Sequence, residues 1–147
     1  MYDSQNGYDE FHEIGEAIAA GEQALASLRD ADAALSSAGN WGLWDIFGGG
    51  LISGMVKHSR IDDARSHLSY AQSCLAAFQR EVGDVRGMGD VAIDIGGFLT
   101  FADFFFDGLL ADLIVQSKID DARDRVDQAI GVVSAALDEL YRRRNAL

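Results

Sequence analysis

The sequence contains no proline and a single cysteine, and both scarcities restrict the fold. Proline removes a backbone donor and clashes with the preceding helical turn, so its absence permits long uninterrupted helices. Cys74 has no partner for an internal disulfide, and no basic residue lies within one helical turn of it to stabilise a thiolate. We expect it to pack as a small apolar side chain in a reducing compartment. The polar, acidic N-terminal residues differ from a secretion signal, which predicts a cytoplasmic protein.

Basic residues are also scarce, since 12 lysines and arginines stand against 24 acidic residues for a formal net charge of -12. A chain of this charge repels polyanions, which argues against a nucleic-acid partner. The one basic run, three arginines at 142–144, falls at the predicted end of a helix, where cations oppose the helix dipole.

The longest apolar stretch, residues 91–115, does not predict a membrane span because four aspartates interrupt it. Each aspartate costs roughly 2.5–3.5 kcal/mol at the centre of a bilayer. The four are Asp94, Asp103, Asp107 and Asp112. We therefore expect this stretch to be buried in protein.

Apolar side chains recur every seven residues in three separate stretches, a spacing typical of helices packed lengthwise. It predicts an all-α helical bundle with long helices over residues 9–37, 60–87 and 118–146. The first helix carries the rows Phe11, Ile18, Leu25 and Ile14, Leu28, Leu35, which Gly21 and Asp32 interrupt. The second carries Ile61, Leu68, Leu75, Val82 beside Ala64, Ala71, Phe78, Val85. The third carries Ile119, Val126, Val133, Leu140, Leu147 beside Ala122, Ala129, Ala136.

An internal repeat relates residues 45–81 to residues 103–139 with an offset of 58. Ser59-Arg-Ile-Asp-Asp-Ala-Arg65 falls on Ser117-Lys-Ile-Asp-Asp-Ala-Arg123. A single domain, 1–147, is thus predicted to comprise an N-terminal helix at 9–37, repeat unit 1 at 41–87 and repeat unit 2 at 98–147. Each unit is expected to hold a shorter apolar helix and a long helix, although residues 91–95 alternate like a strand.

A serine precedes an aspartate by three residues at the same place in both units, Ser59 with Asp62 and Ser117 with Asp120. The hydroxyl can then accept from a backbone amide while the carboxylate bonds the amide of the serine. We expect each serine to start a helix, or to restart it after a kink. Glycines at 83, 87, 89, 96 and 97 mark the linker between the units.

Histidines beside carboxylates are the candidate metal ligands. His58 with Asp62, and Asp63 with His67, are four residues apart and can share a helix face. The second unit keeps both aspartates but replaces both histidines, which favours a role in helix initiation.

Two further groups resemble known kinds of site without completing them. The group His12, Glu13 and Glu16 lacks the partner motif Glu-x-x-His on another helix, which favours a solvated face. Glycines 48–50 lack the lysine and hydroxyl of a phosphate loop. The sequence therefore predicts no metal, no cofactor and no enzymatic activity.

Aromatic side chains are concentrated in the apolar segments of the two repeat units. They either close the end of the bundle or form a patch for self-association or for a partner helix. The residues expected to carry an interaction are Trp41, Trp44, Phe47, Phe101, Phe104 and Phe105. Thin bundles often complete their core by oligomerising, which favours a homodimer. The predicted function is a non-enzymatic interaction or scaffold protein, and the alternative is a metal- or small-ligand-binding bundle centred on the histidine–aspartate group of unit 1.

One stretch carries a resemblance to known proteins. Trp44-Asp-Ile-Phe-Gly-Gly-Gly-Leu51, followed by Lys57-His-Ser-Arg-Ile-Asp-Asp-Ala64, resembles bacterial all-helical proteins of unknown function. The stretch covers a small part of the chain. The resemblance implies a helical fold and neither an activity nor a site.

Overall fold

A computed structural model describes residues 2–48, 51–97, 99–100 and 116–147, with side chains described within 9–37, 62–97, 99–100 and 119–147. Over these ranges the backbone is helical except at one turn and at the last residue. The helices are α1 (Tyr2–Gly48), α2 (Leu51–Gly83), α3 (described over residues 89–97 and 99–100) and α4 (Gln116–Ala146). The all-α prediction is confirmed for this part of the chain. None of the helices described combines the length and the hydropathy needed to cross a lipid bilayer.

Helix α1 is the element against which both α2 and α4 pack. It contains 47 residues and is therefore about 70 Å long at 1.5 Å per residue. Along α2, Tyr70 accepts a 2.7 Å hydrogen bond from Gln23, whereas Glu81 lies beside the earlier residues Glu13 and Glu16. A later residue of α2 thus meets an earlier residue of α1, so the two helices run antiparallel.

Helix α4 runs in the same direction as α2. Near its start, Arg123 lies 3.4 Å from Asp32, and near its end the hydroxyl of Tyr141 donates a 2.9 Å hydrogen bond to Glu22. Helices α2 and α4 are therefore both antiparallel to α1 and parallel to each other.

One apolar core joins all four helices, and the heptad rows supply most of it. Leu68, Leu75, Val126 and Val133 are each at most 2% exposed, which confirms the seven-residue spacing as a packing pattern. The alanine positions of the rows described on α2 and α4 are buried as well. The one buried polar side chain in the described core, Ser27, donates a 2.8 Å hydrogen bond to the carbonyl of Ala24 in its own helix.

Among the row positions whose side chains are described, two are exposed, contrary to the prediction. Leu147 is 58% exposed because it follows the last residue of α4. Phe11 is 52% exposed, and the contact between Tyr141 and Glu22 explains it. From that contact α4 continues for little more than one turn, whereas Phe11 lies about three turns further along α1.

Both interruptions of the α1 rows lie where another helix approaches α1. A Cβ atom on Gly21 would lie 2.7 Å from Leu137 Cδ2 and 2.8 Å from Phe78 Cε1, so side chains of α4 and α2 both reach over this glycine. Asp32 is the partner of Arg123. The missing side chain at position 21 therefore permits the close approach of both neighbouring helices.

Helix α2 ends at Gly83, four residues before the predicted end at 87. Its last turn tightens, because the amides of Asp84 and Val85 bond the carbonyls three residues before them. Gly87 follows with a φ of 82°, in the left-handed region that favours glycine, and α3 begins after Met88. The turn lies where Gly83 and Gly87 predicted a linker, whereas Gly89, Gly96 and Gly97 lie in α3. That it joins two repeat units stays a prediction.

The strand alternative for residues 91–95 is wrong, because these residues lie in α3. Ile95 is buried while Ile93 is 71% exposed. Met88 and Ile95 are both about 1% exposed and are seven residues apart, which is the helical seam spacing. The alternation of apolar residues over 91–95 therefore reflects exposed and buried positions of a helix rather than the two faces of a sheet.

Of the two possibilities for Ser59, the helix start is wrong, since α2 begins at Leu51 and continues through it. A kink at Ser59 stays a prediction. A residue inside a helix has backbone bonds to the preceding turn, so no cap is required there. The related Ser117 is the second residue of α4, close to the predicted start.

The first aromatic segment does not form a helix of its own. Trp41, Trp44 and Phe47 belong to the last turns of α1, and Leu51 is the first residue of α2. The apolar residues of this segment are thus divided between the end of one long helix and the start of the next.

Candidate functional site

Three carboxylates converge where the first turns of α1 face the last turns of α2. Oxygens of Glu13 and Glu16 on α1 and of Glu81 on α2 lie within 4.8 Å of one another, and we call these residues the acidic cluster. Glu13 and Glu81 are partly buried and Glu16 is exposed. Glu81 precedes the buried Val82, so it occupies the edge of the apolar seam. The antiparallel packing of α1 and α2 is what brings like charges together.

The surroundings of Glu81 disfavour its charge. Partial burial, followed by repulsion from Glu16, Asp84 and Glu13, raises the pKa of Glu81 above its ordinary value of 4.5, while Arg80 opposes the shift. Glu16 has a histidine neighbour on its own helix, since Nε2 of His12 lies 3.1 Å from its Oε1.

A small open cleft adjoins the acidic cluster. It measures about 190 Å³ and lies between the start of α1 and the turn that follows α2. Its lining is mostly acidic and consists of Asp9, Glu10, Glu13, Asp84, Val85 and Arg86. The cleft is smaller than most small-molecule sites, whose volumes begin at about 300 Å³.

Carboxylate oxygens are the ligands that Ca²⁺ and Mg²⁺ take in proteins, and the acidic cluster offers them from two helices. Three carboxylates do not complete the six or more ligands of such an ion, and water would have to supply the rest. The raised pKa of Glu81 has a sufficient cause in burial and neighbouring charge. It is therefore no independent sign of catalysis.

The sequence pointed to two of these three carboxylates and missed the third. His12, Glu13 and Glu16 were candidates, and the structure pairs His12 with Glu16. The second helix contributes Glu81 rather than the Glu-x-x-His motif whose absence argued against a metal. Nothing in the sequence around Glu81 marks it as part of a site. It could be found only by knowing that α2 runs antiparallel to α1, because this packing places the end of α2 beside Glu13 and Glu16.

The histidine–aspartate group of unit 1 is described in part. Nε2 of His67 lies 3.8 Å from Asp63, and a guanidinium nitrogen of Arg65 lies 3.9 Å from Asp62. Both aspartates are exposed, and such surface pairs contribute about 0–1 kcal/mol. The side chain of His58 lies outside the described residues, so metal binding by this group stays a prediction.

The residues expected to carry an interaction lie outside the described side chains. Trp41, Trp44 and Phe47 have a helical backbone at the end of α1, and their side chains are not among those described. The remaining three, Phe101, Phe104 and Phe105, lie outside the described residues altogether. Their role stays a prediction.

No protein-family model matches the chain, and neither a curated protein sequence nor a solved structure is significantly similar to it. A functional assignment therefore rests on the residues and contacts of this chain alone.

Proposed function

We propose that the chain is a non-enzymatic helical interaction or scaffold protein built from an N-terminal helix and two related units. The observation that supports this most is the length and continuity of α1, which presents about 70 Å of rigid helix flanked by two antiparallel helices. A long helix with other helices packed against it holds surfaces at fixed separations, which is the physical requirement of a scaffold.

The burial of matching positions supports the relation between the two units. Positions offset by 58 residues are buried in both α2 and α4, each at most 3% exposed. The matched pairs are Ala64 and Ala122, Leu68 and Val126, Ala71 and Ala129, Leu75 and Val133, Phe78 and Ala136, Val82 and Leu140. Each of these rows faces the same core, which is what a duplicated helix in a bundle requires.

Self-association, with a dimer favoured, takes place through the aromatic segments in this proposal. The described parts of the heptad seams are buried within one chain, so little of their apolar surface is left for a second copy. The aromatic residues of the segments, represented by Trp44 and Phe104, are the apolar surface proposed to bind a second copy or another helical protein.

Light scattering over a range of protein concentrations tests this proposal. We expect the wild-type mass to rise with concentration and to fall toward that of one chain in Trp44→Ser and in Phe104→Ser. Phe11→Ser is the matched control, because Phe11 is a 52% exposed phenylalanine outside both segments and its removal is expected to leave association unchanged. Circular dichroism of each variant separates lost association from lost folding. A wild-type mass that stays at one chain at every concentration contradicts the proposal.

The alternative function is a metal- or small-ligand-binding bundle, and elemental analysis of purified protein distinguishes it. A stoichiometric metal that disappears in His58→Ala and His67→Ala would replace the scaffold proposal. The near contact between His67 and Asp63 supports testing this pair. Cytoplasmic residence and the absence of a nucleic-acid partner remain predictions from composition.

A further inference from the structure

The turn between α2 and α3 is short and has apolar anchors on both sides. Val85 within the turn and Met88 at its end are 3% and 1% exposed, respectively. The amide of Met88 bonds the carbonyl of Val85, and Gly87 between them has a φ of 82°. The chain reverses direction here and leads directly into α3.

The end of α4 binds this turn through one arginine. Nη1 of Arg143 donates a 2.8 Å hydrogen bond to the carbonyl of Arg86, and Nη2 donates a 3.2 Å bond to the carbonyl of Gly87. A Cβ atom on Gly87 would lie 2.9 Å from Nη1, so any other residue there would crowd the guanidinium as well as strain the backbone. Two successive carbonyls of the turn therefore depend on a single side chain of α4.

A carboxylate of α4 orients that arginine from behind. Nε of Arg143 donates a 2.8 Å hydrogen bond to Oε1 of Glu139, one turn earlier on the same helix. Arg142 also binds Glu139, with bonds of 2.9 and 2.6 Å, but none of the hydrogen bonds described for Arg142 reaches the turn. Arg142 and Arg143 thus share an anion and differ in whether they contact the turn.

Over its described residues, α3 has few polar contacts with the other helices. Nε2 of Gln79 on α2 donates a 3.3 Å bond to the carbonyl of Ala92, and a Cβ atom on Gly96 would lie 2.5 Å from the same nitrogen. On the apolar side, Ile95 is buried while Ile93 is 71% exposed. Over residues 89–97, Ile95 is the one buried side chain, Val91 and Ala92 are partly buried, and one described side-chain hydrogen bond reaches another helix. A segment with so few contacts belongs to the part of a protein that opens most readily.

We propose that Arg143 is a latch that couples the docking of the α2–α3 turn and of α3 to the last turn of α4. With the latch closed, Val85, Met88 and Ile95 are covered. With the guanidinium removed, the turn loses both carbonyl bonds while the core of α1, α2 and α4 is retained. Opening of α3 is then a local event that uncovers an apolar face without unfolding the chain.

Hydrogen exchange of the full chain, measured by mass spectrometry, tests the latch with Arg143→Met against Arg142→Met. Hydrogen bonds to charged donors are strong enough that losing two of them raises the exchange of amides 85–97 about tenfold or more in Arg143→Met. The same amides are expected to change less than about threefold in Arg142→Met, since an exposed ion pair alone contributes little. Gly87→Ala should act in the direction of Arg143→Met, and Arg143→Lys should restore part of the protection.

The reference for these variants is the exchange of residues 64–78 in the middle of α2, which lies outside the latch. Protection there should match wild type in Arg143→Met, because the proposed opening is local. Equal exchange of residues 85–97 in the two methionine variants overturns the proposal. So does a parallel loss of protection in the middle of α2, which would assign to Arg143 a part in global stability.

Discussion

The ends of α2 and α4 occupy matching positions in the sequence and lie beside the same part of α1, yet the charges that surround them differ. Glu81 on α2 faces Glu13 and Glu16, and its pKa is raised by burial first and by these carboxylates next. Glu139, its counterpart on α4, accepts hydrogen bonds from Arg142 and Arg143, which lower its pKa to about 2. Two glutamates at matching sequence positions therefore have pKa values shifted in opposite directions, because the charged groups around them differ.

The two ends also differ in how they fill the space over Gly21. Helix α2 places the ring of Phe78 there, whereas α4 has Ala136 at the matching position and reaches the glycine with the next residue, Leu137. The space that Phe78 of α2 fills on one side of the glycine is thus filled on the other side by the smaller Leu137 of α4, which is one residue beyond the matching position. The absent side chain at position 21 accommodates both.

The largest expected effect comes from Phe78→Ala, which removes the side chain that distinguishes α2 from α4 at this level. Phe78 is fully buried, so we expect the free energy of unfolding to fall by about 3–5 kcal/mol. Phe11→Ala is the control, because Phe11 is 52% exposed and should cost less than about 1 kcal/mol. Urea unfolding followed by circular dichroism measures both values. Equal losses in the two variants would contradict the packing described around Gly21.

Gly21→Ala and Gly15→Ala form a matched pair on α1 with expected effects of opposite sign. Alanine is favoured over glycine within a helix by about 1 kcal/mol, and a Cβ atom on Gly15 would meet nothing within 4 Å. Gly15→Ala should therefore stabilise the fold by about 0.5–1 kcal/mol. At Gly21 the added carbon meets Phe78 and Leu137 below 3 Å, and overpacking of about 1–3 kcal/mol should exceed that gain.

The measurement for this pair is the midpoint of thermal or urea unfolding. Stabilisation by both alanines would show that the contacts over Gly21 relax without cost. In that case the absence of a side chain at position 21 is not required for the packing of α2 and α4.

Charge removal at the two related glutamates should also act in opposite directions. At pH 7, Glu81→Gln relieves the repulsion from α1 and is expected to raise the free energy of unfolding by about 0.5 kcal/mol at most. Glu139→Gln removes the anion shared by two arginines and should lower it. Urea unfolding of both variants beside wild type gives the two signs. Identical signs would mean that the nearby charges described here do not control these sites.

The smallest expected effect is a pH dependence that differs between the two variants. The pKa of Glu81 is raised in the fold, so the folded chain keeps this proton where the unfolded chain has lost it. Its contribution is unfavourable above the folded pKa and is relieved as the pH falls toward 4.5. The pKa of Glu139 is lowered to about 2, so its contribution is present above 4.5 and is lost as the pH falls from 4.5 toward 2.

Unfolding free energies measured between pH 7 and pH 2 should therefore separate two windows. Relative to wild type, Glu81→Gln should alter the slope above pH 4.5 and Glu139→Gln the slope below it. A change confined to the same window in both variants would refute the assignment of opposite environments. The comparison uses differences between variants because other carboxylates titrate in the same range.

The core residues of the rows followed from local pattern, because a seven-residue spacing depends only on the geometry of a helix. The predicted helix bounds 9–37 and 60–87 did not, since α1 spans Tyr2–Gly48 and α2 spans Leu51–Gly83. Leu68, Leu75, Val126 and Val133 are buried as that spacing predicts. Ser59 was misread because a helix-start motif also fits inside a helix whose preceding turn already satisfies the backbone. The prediction that Phe11 is buried was wrong, because a seven-residue row indicates which face of a helix is apolar but not how far the neighbouring helix extends along it.

The candidate site could be predicted only in part, since its members are remote in sequence. His12 and Glu16 are one turn apart and were recognisable as a pair, whereas Glu81 is brought to them by the packing of a second helix. Arg143 is a further case, because its bonds to the turn at Gly87 cross from one helix end to another.

By itself the sequence determined that the described part of the chain is helical and which faces of α2 and α4 are apolar, because these properties depend on residues within a few turns of one another. Tertiary structure alone decided that Glu81 meets carboxylates while Glu139 meets arginines, and that Gly21 lies beneath Phe78 and Leu137. Electrostatic energy and packing depend on distances of a few ångströms between residues far apart in the chain, and only the arrangement of the helices sets those distances.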